Sequence, residues 1–239
     1  MDAELFNAAI RGDDSFFEPN VSLNLNRQVT AQGNSVLHVA VKHGKEQNAE
    51  KILRFHPSLL YRRNSKGDTP LLVAARLVRL KMTQVLINRP RTEVEVGRNH
   101  ELLRMGNLEK DTALHDAVRN GHFDIVELLI RELHPRLTSL TNNAEESPLF
   151  LAVDRAFYKI ALHILEEAVD VPGCSYGGRN KMNVLHVAVI GTGQVKKKSY
   201  KLFYKLLISS YHYCSQYNHV LQNLNYSAHK HVRSTIILK

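Results

Sequence analysis

From Lys110 to Ile130 the chain reads KDTALHDAVRNGHFDIVELLI. Asp111, Thr112, His115 and Asp116 crowd together as a catalytic cluster would, yet an apolar pattern runs straight through them. Thr112 stands where a short oxygen-bearing side chain can accept from the free N–H groups of a helix start. Leu114, Ala117 and Val118 follow at helical spacing, and Gly121 supplies the left-handed stop. A second helix is predicted from Phe123 to Leu133, with Ile125, Leu128 and Leu129 inward and Asp124, Glu127, Arg131 and Glu132 outward. The stretch therefore reads as a short buried helix, a turn and an amphipathic helix.

Five sister segments share that register: AELFNAAIRGD, NSVLHVAVKHG, DTPLLVAARLV, ESPLFLAVDRA and MNVLHVAVIGT. Their common leucines, Leu5, Leu37, Leu71, Leu114, Leu149 and Leu185, lie 32, 34, 43, 35 and 36 residues apart. One interval thus carries an insertion of about ten residues, and the rest hold one period. Ser35, Thr69, Thr112, Ser147 and Asn183 fill the cap slot, with Pro70 and Pro148 at the first helical position, where the missing N–H costs nothing. Gly44 and Gly121 fill the stop slot; Val78, Ala156 and Thr192 stand there in other units. Further second helices are predicted over Gln47 to Phe55, Lys81 to Ile87 and Tyr158 to Ala168. Polar stretches such as RRNSKGD and TNNAEES precede new units and suit hairpin tips. One such pair cannot bury its own apolar face. Stacking must supply that burial, at roughly 1.5–3 kcal/mol per fully buried leucine or isoleucine.

The segments GNSVLHVAVKHG, KGDTPLLVAA and KDTALHDAVRNGH resemble ankyrin repeats, whose signature is T-P-L-H-x-A-A. The resemblance covers residues 5 to 190 and implies an all-α solenoid of about six helix-turn-helix units with short hairpin loops, the first and last degenerate. More narrowly, LFNAAIRGD, LRMGNLEKDTALHDAVRNGH and ESPLFLAV are similar to plant ankyrin proteins of the accelerated-cell-death type. In that family the repeats precede a multi-span membrane domain, and the proteins act at plasma membrane or endomembranes in defence and stress signalling. The resemblance implies a non-enzymatic scaffold that binds proteins, membrane-borne relatives among them, through a concave face. No cofactor is expected.

Charge divides the chain. The formal net charge is +9, but all 23 acidic residues lie at or before Asp170, and the 69 residues beyond hold ten Lys/Arg and no acid. The basic character belongs to the C-terminal segment, so a nucleic-acid partner is not expected for the repeats. After VLHVAVIGTG the repeat phase stops, which predicts a repeat domain over 1–193 and an atypical basic tail over 194–239, as in a truncated isoform. A helix over Lys198 to Ser210 is one form the tail can take. Lys196, Lys197, Lys198, Lys201 and Lys205, interleaved with aromatics, suit an anionic membrane surface. This gives two alternatives to the scaffold, a peripheral membrane regulator and a non-functional truncated isoform. MDAELFNAAIRGDD lacks a basic leader, and no run approaches the roughly 18–20 apolar residues of a spanning helix, so a cytoplasmic setting is expected. Cys174 and Cys214 read as free thiols of a reducing compartment.

Chemistry-bearing residues fall mostly into architecture. His38, His115 and His186 share one repeat position, and a role repeated three times is structural; in the resembled family this histidine bonds within and between turns. Neither G-x-x-x-x-G-K-[ST], HExxH nor GxSxG occurs, and Cys214 with His212 and His219 lacks a fourth zinc ligand. Five residues remain as candidate partner contacts. Lys42, Arg76, Arg119 and Arg155 form a column in the last turn of the first helix, which suggests an acidic ligand, although cations there also offset the helix dipole. Asp116 stands where Val39, Val73, Leu151 and Val187 stand in other units, and reads as a wet inner-face charge.

Overall fold

The computed structural model describes residues 1–13, 17, 25, 27–88, 101–133, 135–167 and 177–191. Short first helices are α1 (Ala3–Arg11), α2 (Val36–Lys42), α4 (Pro70–Arg76), α7 (Ala113–Arg119), α9 (Pro148–Asp154) and α11 (Val184–Gly191). Second helices are α3 (Glu46–Phe55), α5 (Leu80–Ile87), α8 (Phe123–Leu133) and α10 (Tyr158–Glu167); residues 101–104 are helical too and are labelled α6. Each expected second helix is present within a residue at either end. No strand is present among the described residues, only isolated bridges at Val29/Ser35 and Gly177/Asn183.

Packing follows the repeat. First helices touch in series, α1 on α2, α2 on α4, α4 on α7, α7 on α9 and α9 on α11, while α3, α5, α8 and α10 form a second row behind them. Two helical layers thus share one core, as in an ankyrin solenoid. Ala40, Ala74, Ala117 and Ala152 are fully buried at the same repeat position, where a small side chain lets neighbouring helices approach. The insertion does not interrupt the stack: α4 still packs on α7 and α5 on α8 across it.

Caps and stops lie where the sequence places them. Ser35, Thr69 and Ser147 accept from the backbone N–H three residues on, and Asn183 does the same for His186. Gly44 (φ 64°) and Gly121 (φ 72°) adopt the left-handed turn. Val78 and Ala156 take the same slot at φ 57° without glycine's freedom. Thr192, the boundary near Gly193, both cysteines, the helix expected over Lys198 to Ser210 and the lysines of the tail lie outside the described residues.

Candidate functional site

The hairpins that introduce each unit are closed alike. The backbone N–H groups of Thr30, Asn64, Asn107 and Asn142 donate to the carbonyls of Asn34, Asp68, Asp111 and Glu146, four residues on, at 3.0–3.1 Å. Each of the three asparagines adds side-chain closure, its Oδ1 accepting from two N–H groups of its own loop. Their amide nitrogens reach back one unit, Asn107 to Asp68 and Asn142 to Asp111. Backbone bonds join the tips, Leu108 N–H to the Lys66 carbonyl (3.1 Å) and Asn143 N–H to that of Glu109 (2.9 Å). The N-x-x-x-[DE] spacing was visible in RRNSKGD and TNNAEES, but sequence reading took it only as turn composition.

His115 and His38 are braces between units, and His186 is bonded to Asn183 of its own unit. His115 is fully buried; its Nδ1 accepts from the Thr112 backbone N–H (3.3 Å) and hydroxyl (2.8 Å), and its Nε2–H donates to the Glu146 carbonyl of the next unit (3.1 Å). His38 repeats this with Ser35 and the Asp68 carbonyl. With both ring nitrogens engaged and no solvent access, the Asp111/Thr112/His115/Asp116 group is not arranged for proton transfer.

The cationic column needs two corrections. Arg76 and Arg119 are not a row of free cations facing a ligand, nor are they matched only to a helix dipole. The Arg76 guanidinium makes a two-pronged pair with Asp68 (both 2.8 Å) and also donates to Asp116 at 2.7 Å. Arg119 pairs with both oxygens of Asp111 and stands 3.7 Å from Glu146. Arg155 is out of register: α9 ends at Asp154, which takes the slot of Lys42, Arg76 and Arg119, and Arg155 is the exposed residue that caps it. Lys42 is in the column and exposed. Asp116 is also not a wet surface charge, being only 3% exposed.

Where Asp154 breaks the column, the next hairpin supplies the cation. Arg179 donates to Glu146 (2.8 Å) and to both oxygens of Asp154 (2.9 and 3.0 Å). The result is a ladder of alternating guanidinium and carboxylate groups from Asp68 to Asp154. Sequence reading missed Asp68, Glu146 and Arg179. The eight-residue interval that joins Asp68 to Arg76 and Asp111 to Arg119 was the available signal for the first.

Burial and pairing compete over the charges. Burial pushes the Asp68 carboxyl up, but Arg76 with Asn107 and Asn64 outweighs it and holds that group below its ordinary value; Arg119 and Asn142 do the same for Asp111. At Asp116 burial wins over Arg76, and the carboxyl is pushed up. Burial lowers both His38 and His115 from 6.5. A depressed histidine leaves the unfolded chain binding more protons below pH 6.5, so stability is level above that pH and falls as the solution is acidified below it. Asp68 and Asp111 add a second loss below their ordinary 3.8, whereas Asp116, raised in the fold, binds its proton above 3.8 and offsets part of the upper loss there. Urea titrations at stepped pH are expected to show both phases. Substituting leucine, the residue at position 72 of this slot, for His38 and His115 should remove most of the upper one and leave only the share of the more exposed His43, which burial and nearby cations also lower; an upper phase undiminished by the two substitutions would place its origin elsewhere.

Between the tips and the first helices lies an open cleft of about 480 Å³, lined by Lys66, Asp68, Leu108, Glu109, Asp111, Asp116 and the two arginines among others. Among the described residues, no group of three or more His, Cys, Asp or Glu is placed to hold a metal ion, and no helix is long and apolar enough to cross a membrane.

Residues 94–172 match the family description "Ankyrin repeats (3 copies)". The chain is also similar to Protein ACCELERATED CELL DEATH 6 of Arabidopsis thaliana, at 28% identity over 163 residues, 64% of this chain and 24% of that protein. It thus spans about a quarter of that relative's length.

Proposed function

We propose that this ankyrin-repeat chain is a non-enzymatic protein-binding scaffold whose contact face is the row of hairpin tips and first helices around the cleft. Ankyrin repeats serve protein binding, and the cleft carries the assignment to this face. It is open and lined largely by polar side chains from two successive units, and Asp68, Asp111 and Asp116 are paired with its arginines, not aimed at a reacting atom. Lys42 and Arg155 extend the face as exposed cations, with Arg76, Asp116 and Arg119 forming its floor.

The relative's name supports a setting in cell death, and the narrower resemblance supports plant defence and stress signalling, with membrane-borne relatives among the partners. A binding role confined to the tips predicts a clear outcome. Lys66→Glu with Leu108→Asp changes two exposed tip residues and leaves every ion pair of the ladder in place. Affinity capture from plant extract should lose a defined set of proteins in that variant, while its far-ultraviolet circular dichroism stays unchanged. An identical set captured by both forms would remove this face from the proposal. The eight Lys/Arg of residues 194–239, with no acid among them, favour a second reading, tail-held association with anionic membranes. Salt-sensitive flotation with phosphatidylserine vesicles, lost on deleting residues 194–239, would identify it.

A further inference from the structure

We infer that the cleft takes a basic, leucine-bearing segment of a partner protein; this rests on the scaffold reading and gives its partner a chemistry. The column of cations suggests an acidic ligand until its pairing is known. Every guanidinium of the ladder is already met by carboxylates, and the carboxylates outnumber them: Asp68, Asp111, Asp116, Glu146 and Asp154 stand against Arg76, Arg119 and Arg179. Within the cleft itself Asp68, Glu109, Asp111 and Asp116 stand against Arg76 and Arg119, both already paired, and Lys66 at the exposed rim, so an incoming carboxylate would have to displace a paired carboxylate or meet Lys66 alone. An incoming guanidinium or ammonium meets acceptors instead. Asp116 illustrates the opening, since its Oδ1 lies 3.9 Å from Arg119, beyond hydrogen-bond distance. Glu109 adds a further carboxylate at the exposed rim of the cleft.

An independent feature sets the second half of the specificity. Leu108 is 66% exposed, the most exposed large hydrophobic side chain among the described residues, and it lines the same cleft beside Glu109. Its backbone is fixed, the N–H bonded to the Lys66 carbonyl of the preceding tip and the carbonyl accepting from the Asn143 amide of the following one. An apolar side chain on a fixed backbone next to an acidic rim fits a partner that alternates cationic and apolar residues.

Fluorescence anisotropy tests the sign directly, with two labelled octapeptides as probes, one alternating arginine and leucine and the other glutamate and leucine. The arginine peptide should bind the full chain and weaken with added salt, and the glutamate peptide should not bind. Glu109→Lys should weaken the arginine peptide by about fivefold to tenfold, since a charge at an interface rim acts on encounter and salt dependence. Glu127→Lys, on the exposed outer side of α8, controls for overall charge and should leave binding unchanged. Equal weakening by both variants, or binding of the glutamate peptide, would overturn the inference. Tip-dependent capture of plant proteins would then still support the scaffold reading, so the two can fail separately.

Discussion

Replacing Phe150 with alanine is expected to cost about 3–5 kcal/mol of unfolding free energy, the range for deleting a buried aromatic ring. Phe150 is fully buried and stands in the slot held by His38, His115 and His186, so in this unit an aromatic ring replaces the histidine brace. The following hairpin is built to fit it. Gly178 occupies the slot of Asn64, Asn107 and Asn142, and a Cβ there would fall inside the Phe150 ring. The backbone closes the hairpin without an asparagine, Gly178 N–H donating to the Met182 carbonyl at 2.9 Å. Arg179 lies over the ring, its guanidinium carbon 5.8 Å from the centroid. Phenylalanine and glycine are therefore one fitted pair, and His115 with Asn142 is its counterpart.

A sharper result follows from that pairing. Gly178→Asn alone should destabilise by about 1–3 kcal/mol through overpacking. Combined with Phe150→His it should recover most of the loss, because Ser147 can donate to the new Nδ1 as Ser35 does to His38. Urea unfolding of the two single variants and the double variant measures the coupling. Strictly additive costs would show that ring and glycine are independent and would sink this account.

Most of the scaffold was legible because its determinants are local. A cap, a proline at the first turn and a stop residue act within a few positions of themselves, so Thr112, Pro148 and Gly121 declare their roles in one short window. The histidine brace was legible for another reason, since a period of about 33 residues displays a contact between units as a recurrence. The ladder has neither property. Arg76 meets Asp116 across 40 residues, a separation that includes the insertion, and Asp116 has no counterpart in the other units. Arg155 was misplaced because two polar residues follow the small pair of α9, and only the helix end shows that Asp154 holds the slot. That substitution sets Asp154 near Glu146, and Arg179, 25 and 33 residues farther on, answers both. A compensation displaced into the next hairpin leaves no periodic trace. The tips gave up their composition but not their ladder, because an asparagine closing its own loop and one also reaching the preceding unit have the same sequence.

Arg76→Met should destabilise the chain by about 2–3 kcal/mol, below the 3–5 kcal/mol for breaking a fully buried pair because the guanidinium is 33% exposed. The cost arises from what is left behind. Asp68 and Asp116 have side chains only 2% and 5% exposed, and both lose their guanidinium while staying out of water. Asp68 keeps the Asn107 amide, so the heavier loss falls on Asp116, whose carboxyl burial already pushes up. Asp116→Val installs the residue found at positions 39, 73 and 187 of the same column, and it should cost less than 1 kcal/mol or stabilise, since Arg76 retains Asp68 and an apolar side chain suits the site. The double variant should then be more stable than Arg76→Met alone by about 1–2 kcal/mol, the size of coupling expected between groups in direct contact. Thermal and urea unfolding of all four forms would establish the cycle. If Asp116→Val is as damaging as Arg76→Met, the pair stabilises the stack in its own right. If the order is as expected, the ladder costs stability that valine would restore, and the placement of Asp116 on the cleft floor is explained by what the cleft holds.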